Sequence, residues 1–313
     1  MTRTEDASCY SKSLNSLNPE ITVNSGQMFL WENYKNSWYG VYKSHILKFS
    51  LDHKNSDKGK SAPYDHMYFD SLPELDNWQQ LVFRLDDDTN YISSCLTNDN
   101  IISQLFKKYS GLWLMRQDPY QCMISFACSS NTNIPMIRRM LKNLCRKFGI
   151  KREIDEKKFF TFPTIKSLAK ASINELCSCG IGYRAKTIKS ITEKIIIGTL
   201  NIEELSRCKY DEAKEKLLSI YGIGNKLADC ILLFSLEKTE AFPIDVWIAR
   251  SIHSYYRSLL NQESLKLDFE STKLSPNKYN LLSKIMRQHF GKYAGYAQQY
   301  LYYHMRYSAN KKW

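Results

Sequence analysis

"LLSIYGIGNKLADCILLF", residues 217–234, sets two glycines and a lysine between two apolar stretches. The flanking runs "DEAKEKLLSI" and "LADCILLFSL" carry apolar residues at helical spacing, and the "YGIGNK" between them is too short for anything but a tight hairpin of two helices, its turn at 221–226. Gly222 and Gly224 allow backbone angles and close approaches that side chains obstruct. Free N–H groups at the start of the second helix then form an anion site suited to a DNA phosphate. Lys226 falls at that same helix start, where the dipole is unfavourable for a cation. Such a field disfavours an ammonium, and a neutral lysine amine is a nucleophile.

Beyond Lys226 comes "FPIDVWIAR" (242–250), in which Pro243 stiffens a turn and Asp245, nineteen residues after the lysine, stands where the N-cap of a further helix belongs. The intervening helix turns the chain back, so Lys226 and Asp245 are expected to share one cleft. Capping alone explains an aspartate at that position. The two roles are compatible, because a carboxylate held by backbone N–H groups stays ionised and can face a developing positive charge. An amine beside a fixed carboxylate suits displacement at a sugar carbon through an oxocarbenium-like state.

Composition agrees with a polyanionic partner. Lys and Arg number 44 against 32 Asp and Glu, a formal net charge of +12, which favours nucleic acid. The nine cysteines lack paired spacing and none follows Cys230, which argues for free thiols and against a C-terminal four-cysteine cluster. No apolar run reaches the length of a membrane span, so no membrane association is expected.

The chain divides by texture. Residues 1–20 are polar and aperiodic and read as a disordered tail. From 21, aromatic and β-branched segments such as "SWYGVYKSHILKF", broken by polar turns, predict antiparallel strands, and this sheet domain is taken to run to 112. Helical spacing begins near 87, with "IISQLFKKYSGLWLM" and "IPMIRRMLKNLCRKFG" repeating apolar residues at three and four, and a helical domain in two subdomains occupies 113–313. Residues 261–278 are polar and patternless and read as a surface insertion. The expected class is α+β, a twisted antiparallel sheet followed by a mostly α-helical part.

These segments resemble the helix-hairpin-helix base-excision DNA glycosylases and, within them, the eukaryotic 8-oxoguanine DNA glycosylase/AP lyase family. The resemblance rests on "SGQMFLWE" (25–32), "MRQDPYQCMISFACSSNTNI" (115–134), "FPTIKSLA", "GIGYRAK" (180–186), "GIGNKLADC" (222–230), "PIDV" (243–246) and "GKYAGYAQ" (291–298), in family order. It implies two helical subdomains beside the sheet, with a DNA cleft between them. It makes Lys226 the Schiff-base nucleophile at C1′ and Asp245 the carboxylate that stabilises charge on the sugar.

The resemblance also implies the handling of a flipped nucleotide. Asn131 and Tyr183 fill the vacated stack, and Arg184 bonds the orphaned cytosine. Gly26 accepts, through its carbonyl, the N7–H that distinguishes 8-oxoguanine from guanine. Gln298 reads the Watson–Crick edge, and Cys230 and Tyr302 sandwich the purine, Tyr302 standing where the family usually has phenylalanine. Gly222, Gly224 and Trp247 complete the expected DNA contacts. Met136 replaces an arginine that helps read cytosine; Trp247 replaces a histidine that touches phosphate, and Met305 that histidine's aspartate partner.

The expected activity is therefore excision of 8-oxoguanine from double-stranded DNA with strand cleavage by β-elimination, by a monomer in the nucleus, using no metal or organic cofactor. The alternatives are a helix-hairpin-helix glycosylase for another lesion, such as an alkylated base, and a DNA-binding module without catalysis.

Overall fold

A computed structural model describes residues 17–53, 64–260 and 274–309. Residues 1–16 of the expected tail and 261–273 of the expected insertion lie outside these. Strands β1 (Trp31–Tyr34), β2 (Ser37–Tyr42), β3 (His45–His53) and β4 (Tyr64–Leu72) form an antiparallel sheet in chain order. Successive strand residues point to opposite faces. Leu47 and Phe49 of β3 accordingly join one core with Trp31, Trp78, Phe83 and Trp113, while Ile46 joins a larger core shared with the helices, as do Tyr39 and Val41 of β2. The inner strands β2 and β3 are thus buried on both faces, one of them against the helical part.

The α+β class is as expected, but several boundaries differ. Among the described residues of the expected tail, Leu17 is 2% exposed and Asn18 caps a short helix Pro19–Val23 by accepting from the Ile21 N–H at 3.1 Å, so 17–20 are structured, contrary to the expectation. The stretch "GLWLM" is not helical. The helix Asn100–Lys108 ends before Gly111, whose φ of +85° breaks the spiral, and Trp113 and Met115 run into the core beneath the sheet. Their apolar spacing reflects burial.

The two parts divided at 112/113 are in direct contact. Helices Thr89–Leu96 and Asn100–Lys108 pack against the later helices. Phe106 packs edge-on to Tyr300 at 4.5 Å, Tyr109 bonds His304 at 2.9 Å, and Tyr256 donates to Asp99 at 3.1 Å. Conversely, a second two-stranded sheet, β5 (Lys151–Ile154) and β6 (Lys157–Phe160), interrupts the helical part through a turn at Asp155 and Glu156, both with positive φ. It docks on the first sheet through Asp155, bonded to Tyr39 and 2.6 Å from Lys48. The end of the expected insertion, 274–278, contains the start of the helix Pro276–Phe290, capped by Ser275. Among the described residues no helix is long and apolar enough to cross a membrane.

Candidate active site

Helices Tyr210–Leu218 and Asn225–Ser235 form the hairpin read from the sequence, and its two glycines differ in kind. Gly222 has φ +83°, a left-handed angle, and a Cβ there would lie 2.0 Å from the Thr187 hydroxyl oxygen. Gly224 is the N-cap with φ −98° and ψ 178°, which any residue adopts, and a Cβ there meets nothing within 4 Å. The backbone therefore requires glycine only at Gly222. At Gly224 the absent side chain leaves room in front of the helix N-terminus, where an anion is favoured.

Two residues past that cap, Lys226 projects into a cleft of about 730 Å³, lined also by Gly26, Asn131, Gly222, Gly224, Cys230, Asp245, Trp247, Gln298 and Tyr302. Nζ donates to Ser129 Oγ at 3.4 Å and lies 5.3 Å from the centre of the Phe126 ring. Neither contact is an ion pair, and no carboxylate lies within 4.0 Å of Nζ among the described residues. Asp245 caps the helix Val246–Tyr255, its Oδ1 accepting the N–H groups of Trp247 and Ile248 at 2.9 Å each. Oδ2 lies outside the cap. Burial raises the Asp245 carboxyl above its ordinary value, opposed by the two cap bonds and by the charges of Lys226 and Arg306. The cap alone does not settle its ionisation, as the sequence reading supposed; the two cations contribute.

The remaining groups come from distant segments. Gln298, on the helix Ala294–Ser308, donates to the Pro243 carbonyl at 3.0 Å, while its buried Oε1 has no hydrogen-bond partner. A buried acceptor without a donor is costly, so that oxygen is suited to a ligand N–H. Cys230, one turn beyond Lys226, is 3% exposed, and burial pushes its thiol up to about 12, leaving a neutral, polarisable surface. Gly26 has φ +78° in a turn held by glutamines: Gln27 donates to the Trp113 carbonyl at 2.8 Å, Gln117 to the Gln27 carbonyl at 2.7 Å, and Gln299 to the Ser25 carbonyl at 3.0 Å.

Around the rim, Asn131 is exposed at φ +48°, Tyr183 is 60% exposed, and Arg184 lies beside both. Tyr183 and Arg184 do not line the cleft itself but reach it through the loop 129–131. Met136 is 40% exposed in the first turn of the helix Ile134–Phe148. One cleft cation was not legible in the sequence, Arg306, whose guanidinium lies 5.9 Å from the ring centres of both Trp247 and Tyr302; Arg250 lies 5.3 Å from the same Trp247 ring. Ser129, Phe126, Gln27, Gln117 and Gln299 were also missed, because their partners lie far along the chain.

A sheet-backed helical body whose helix-hairpin-helix presents a lysine toward an N-cap aspartate defines the class as a base-excision DNA glycosylase fold. A family model described as the HhH-GPD superfamily base excision DNA repair protein matches residues 124–277, and one described as the 8-oxoguanine DNA glycosylase N-terminal domain matches 10–123. A probable N-glycosylase/DNA lyase of Methanothermobacter thermautotrophicus is 31% identical over 228 residues, 66% of this chain and 68% of that protein. The N-glycosylase/DNA lyase of Saccharomyces cerevisiae is 32% identical over 211 residues, 61% of this chain and 56% of that one. The crystal structure of a Clostridium acetobutylicum 8-oxoguanine glycosylase/lyase, with double-stranded DNA containing cytosine opposite 8-oxoguanine, superposes with a TM-score of 0.79 at 28% identity, covering 94% of this chain and 93% of that one. The chain belongs to the 8-oxoguanine DNA glycosylase/AP lyase family of the HhH-GPD superfamily.

Proposed function

We propose that this protein flips 8-oxoguanine out of duplex DNA, excises it and then cleaves the strand. The observation that carries the reading is the convergence of Lys226 and Asp245 on a cleft that also holds the unsatisfied Gln298 Oε1. In the first step an Nζ–C1′ bond forms as the C1′–N9 bond breaks, and the departing purine takes up a proton. Asp245 faces the positive charge that builds on the sugar between these events. The sugar ring then opens to a Schiff base at C1′, and loss of a C2′ proton expels the 3′ phosphate. These steps need no metal or organic cofactor.

Recognition follows the same geometry. Gln298 Oε1 accepts from the Watson–Crick edge, the Gly26 carbonyl accepts the N7–H, and Cys230 and Tyr302 bracket the ring. Asn131, Tyr183 and Arg184 occupy the space left in the duplex, the hairpin N–H groups meet a phosphate, and Trp247 contacts the backbone. We place the protein in the nucleus, with the DNA it is proposed to repair, and propose that it acts as a monomer.

The test is borohydride trapping on duplexes carrying single defined lesions. A covalent complex is expected with 8-oxoguanine opposite cytosine and is expected to be absent in Lys226→Gln, which binds DNA but has no amine. Trapping that survives in Lys226→Gln moves the nucleophile elsewhere. Preferential release of an alkylated base reassigns the lesion, and binding without any trapping leaves a non-catalytic module.

A further inference from the structure

Behind the cleft lies a buried polar cluster that the catalytic reading does not use. Asp229, on the helix that carries Lys226 and Cys230, is 0% exposed. Its Oδ1 accepts from the Tyr210 hydroxyl at 2.6 Å, its Oδ2 from the Tyr279 hydroxyl at 2.7 Å, and Lys214 Nζ lies 3.1 Å away. The same Tyr279 hydroxyl accepts the Ile244 N–H at 3.1 Å. Ile244 immediately precedes Asp245.

We propose that Tyr279 is a positioning residue for base removal, its hydroxyl being the joint between the helix that presents Lys226 and the turn that presents Asp245. This rests on the glycosylase reading. The hydroxyl donates in one direction and accepts in the other, so it fixes both separation and angle between the two elements. Lys214 and Tyr210 saturate the rest of the carboxylate and hold it as the anchor. An apolar core packs the same helices without burying a carboxylate and an ammonium, and such burial is expensive. The cluster ends on the backbone N–H next to Asp245, where small displacements matter for attack geometry.

Tyr210 supplies an internal control. It bonds the same carboxylate as Tyr279, through the same kind of hydroxyl, but among the described residues it makes no bond to the Asp245 turn and does not line the cleft. The experiment compares wild type, Tyr279→Phe and Tyr210→Phe in single-turnover excision of 8-oxoguanine from a duplex, with rates expressed per competent enzyme from borohydride titration and duplex affinity measured alongside. Thermal melts report the general cost of each deletion.

The expected result is a rate about tenfold or more lower for Tyr279→Phe, in line with the sensitivity of attack to small misplacements, with affinity within about twofold. Tyr210→Phe is expected to melt lower while keeping the wild-type rate. A wild-type rate in Tyr279→Phe overturns the proposal, as does an equal slowing of both variants, which marks a merely structural cluster. A wild type that excises nothing sinks the glycosylase reading, and this inference with it.

Discussion

Arg184 and Ser130 are joined through the Ser130 carbonyl, which accepts from Arg184 Nε at 3.1 Å and also from an NH2 group of the same guanidinium. Further donors reach the carbonyls of Asn131 at 3.5 Å and Ile181 at 3.2 Å. The arginine assigned to the orphaned cytosine therefore clamps, in the free protein, the loop that holds Asn131 at its positive φ. Contact with a base requires it to share or release these carbonyls. On the proposed role of Arg184, loop placement and opposite-base reading are coupled through one side chain.

Arg184→Lys tests this coupling. A lysine keeps the charge but cannot span three carbonyls with a planar fork. Hydrogen bonds from charged groups contribute roughly 1.5–3 kcal/mol each, so affinity for an 8-oxoguanine duplex is expected to fall about tenfold or more. Fluorescence anisotropy measures it, and an unchanged Kd rules out the clamp as a determinant of binding.

The hairpin glycines are expected to separate stability from binding. Gly222→Ala forces a left-handed angle and a clash with Thr187, which should lower stability by about 1–3 kcal/mol. Gly224→Ala has a permitted backbone and open space, so its denaturation midpoint should match the wild type while its DNA affinity falls. Equal melting losses in both variants contradict this division.

Acidity bears on Asp245 in two ways. Because burial raises its carboxyl, excision should decline on acidification at a pH above 3.8, the ordinary aspartate value, and the limb should vanish in Asp245→Asn. The sign for stability is opposite. A raised carboxyl favours its protonated form in the fold, so its contribution is present below 3.8 and lost as pH rises through the raised value. At neutral pH the ionised group weakens the fold, and asparagine caps equally well. Asp245→Asn is thus expected to melt at the same or a higher temperature at pH 7 while excision slows about a hundredfold or more. A lower melting temperature with normal excision overturns the assignment.

Met136 predicts relaxed partner choice. It is exposed beside the loop of Asn131, and its thioether cannot donate a hydrogen bond to cytosine. A good base contact is worth roughly 1–3 kcal/mol, so Met136→Arg should sharpen the preference for cytosine by about tenfold. Single-turnover excision opposite each of the four bases measures this, and an unchanged ratio removes Met136 from the selectivity argument.

What the sequence determined by itself was local. Strand alternation, helical spacing, the left-handed glycine of the hairpin and the N-cap aspartate each depend on neighbours a few residues away, so the α+β class and the approach of Lys226 to Asp245 were legible. The β5–β6 hairpin was missed because its strands are four residues each, too short to establish a period against the helices around them. The tertiary structure decided the rest. Asp229 meets Tyr279 across 50 residues and Gln299 reaches Ser25 across 274, while Arg306 enters the cleft from the end of the last helix. Such contacts leave no periodic trace, because a side chain's partner is set by how whole helices pack against each other and not by the spacing of residues along one of them.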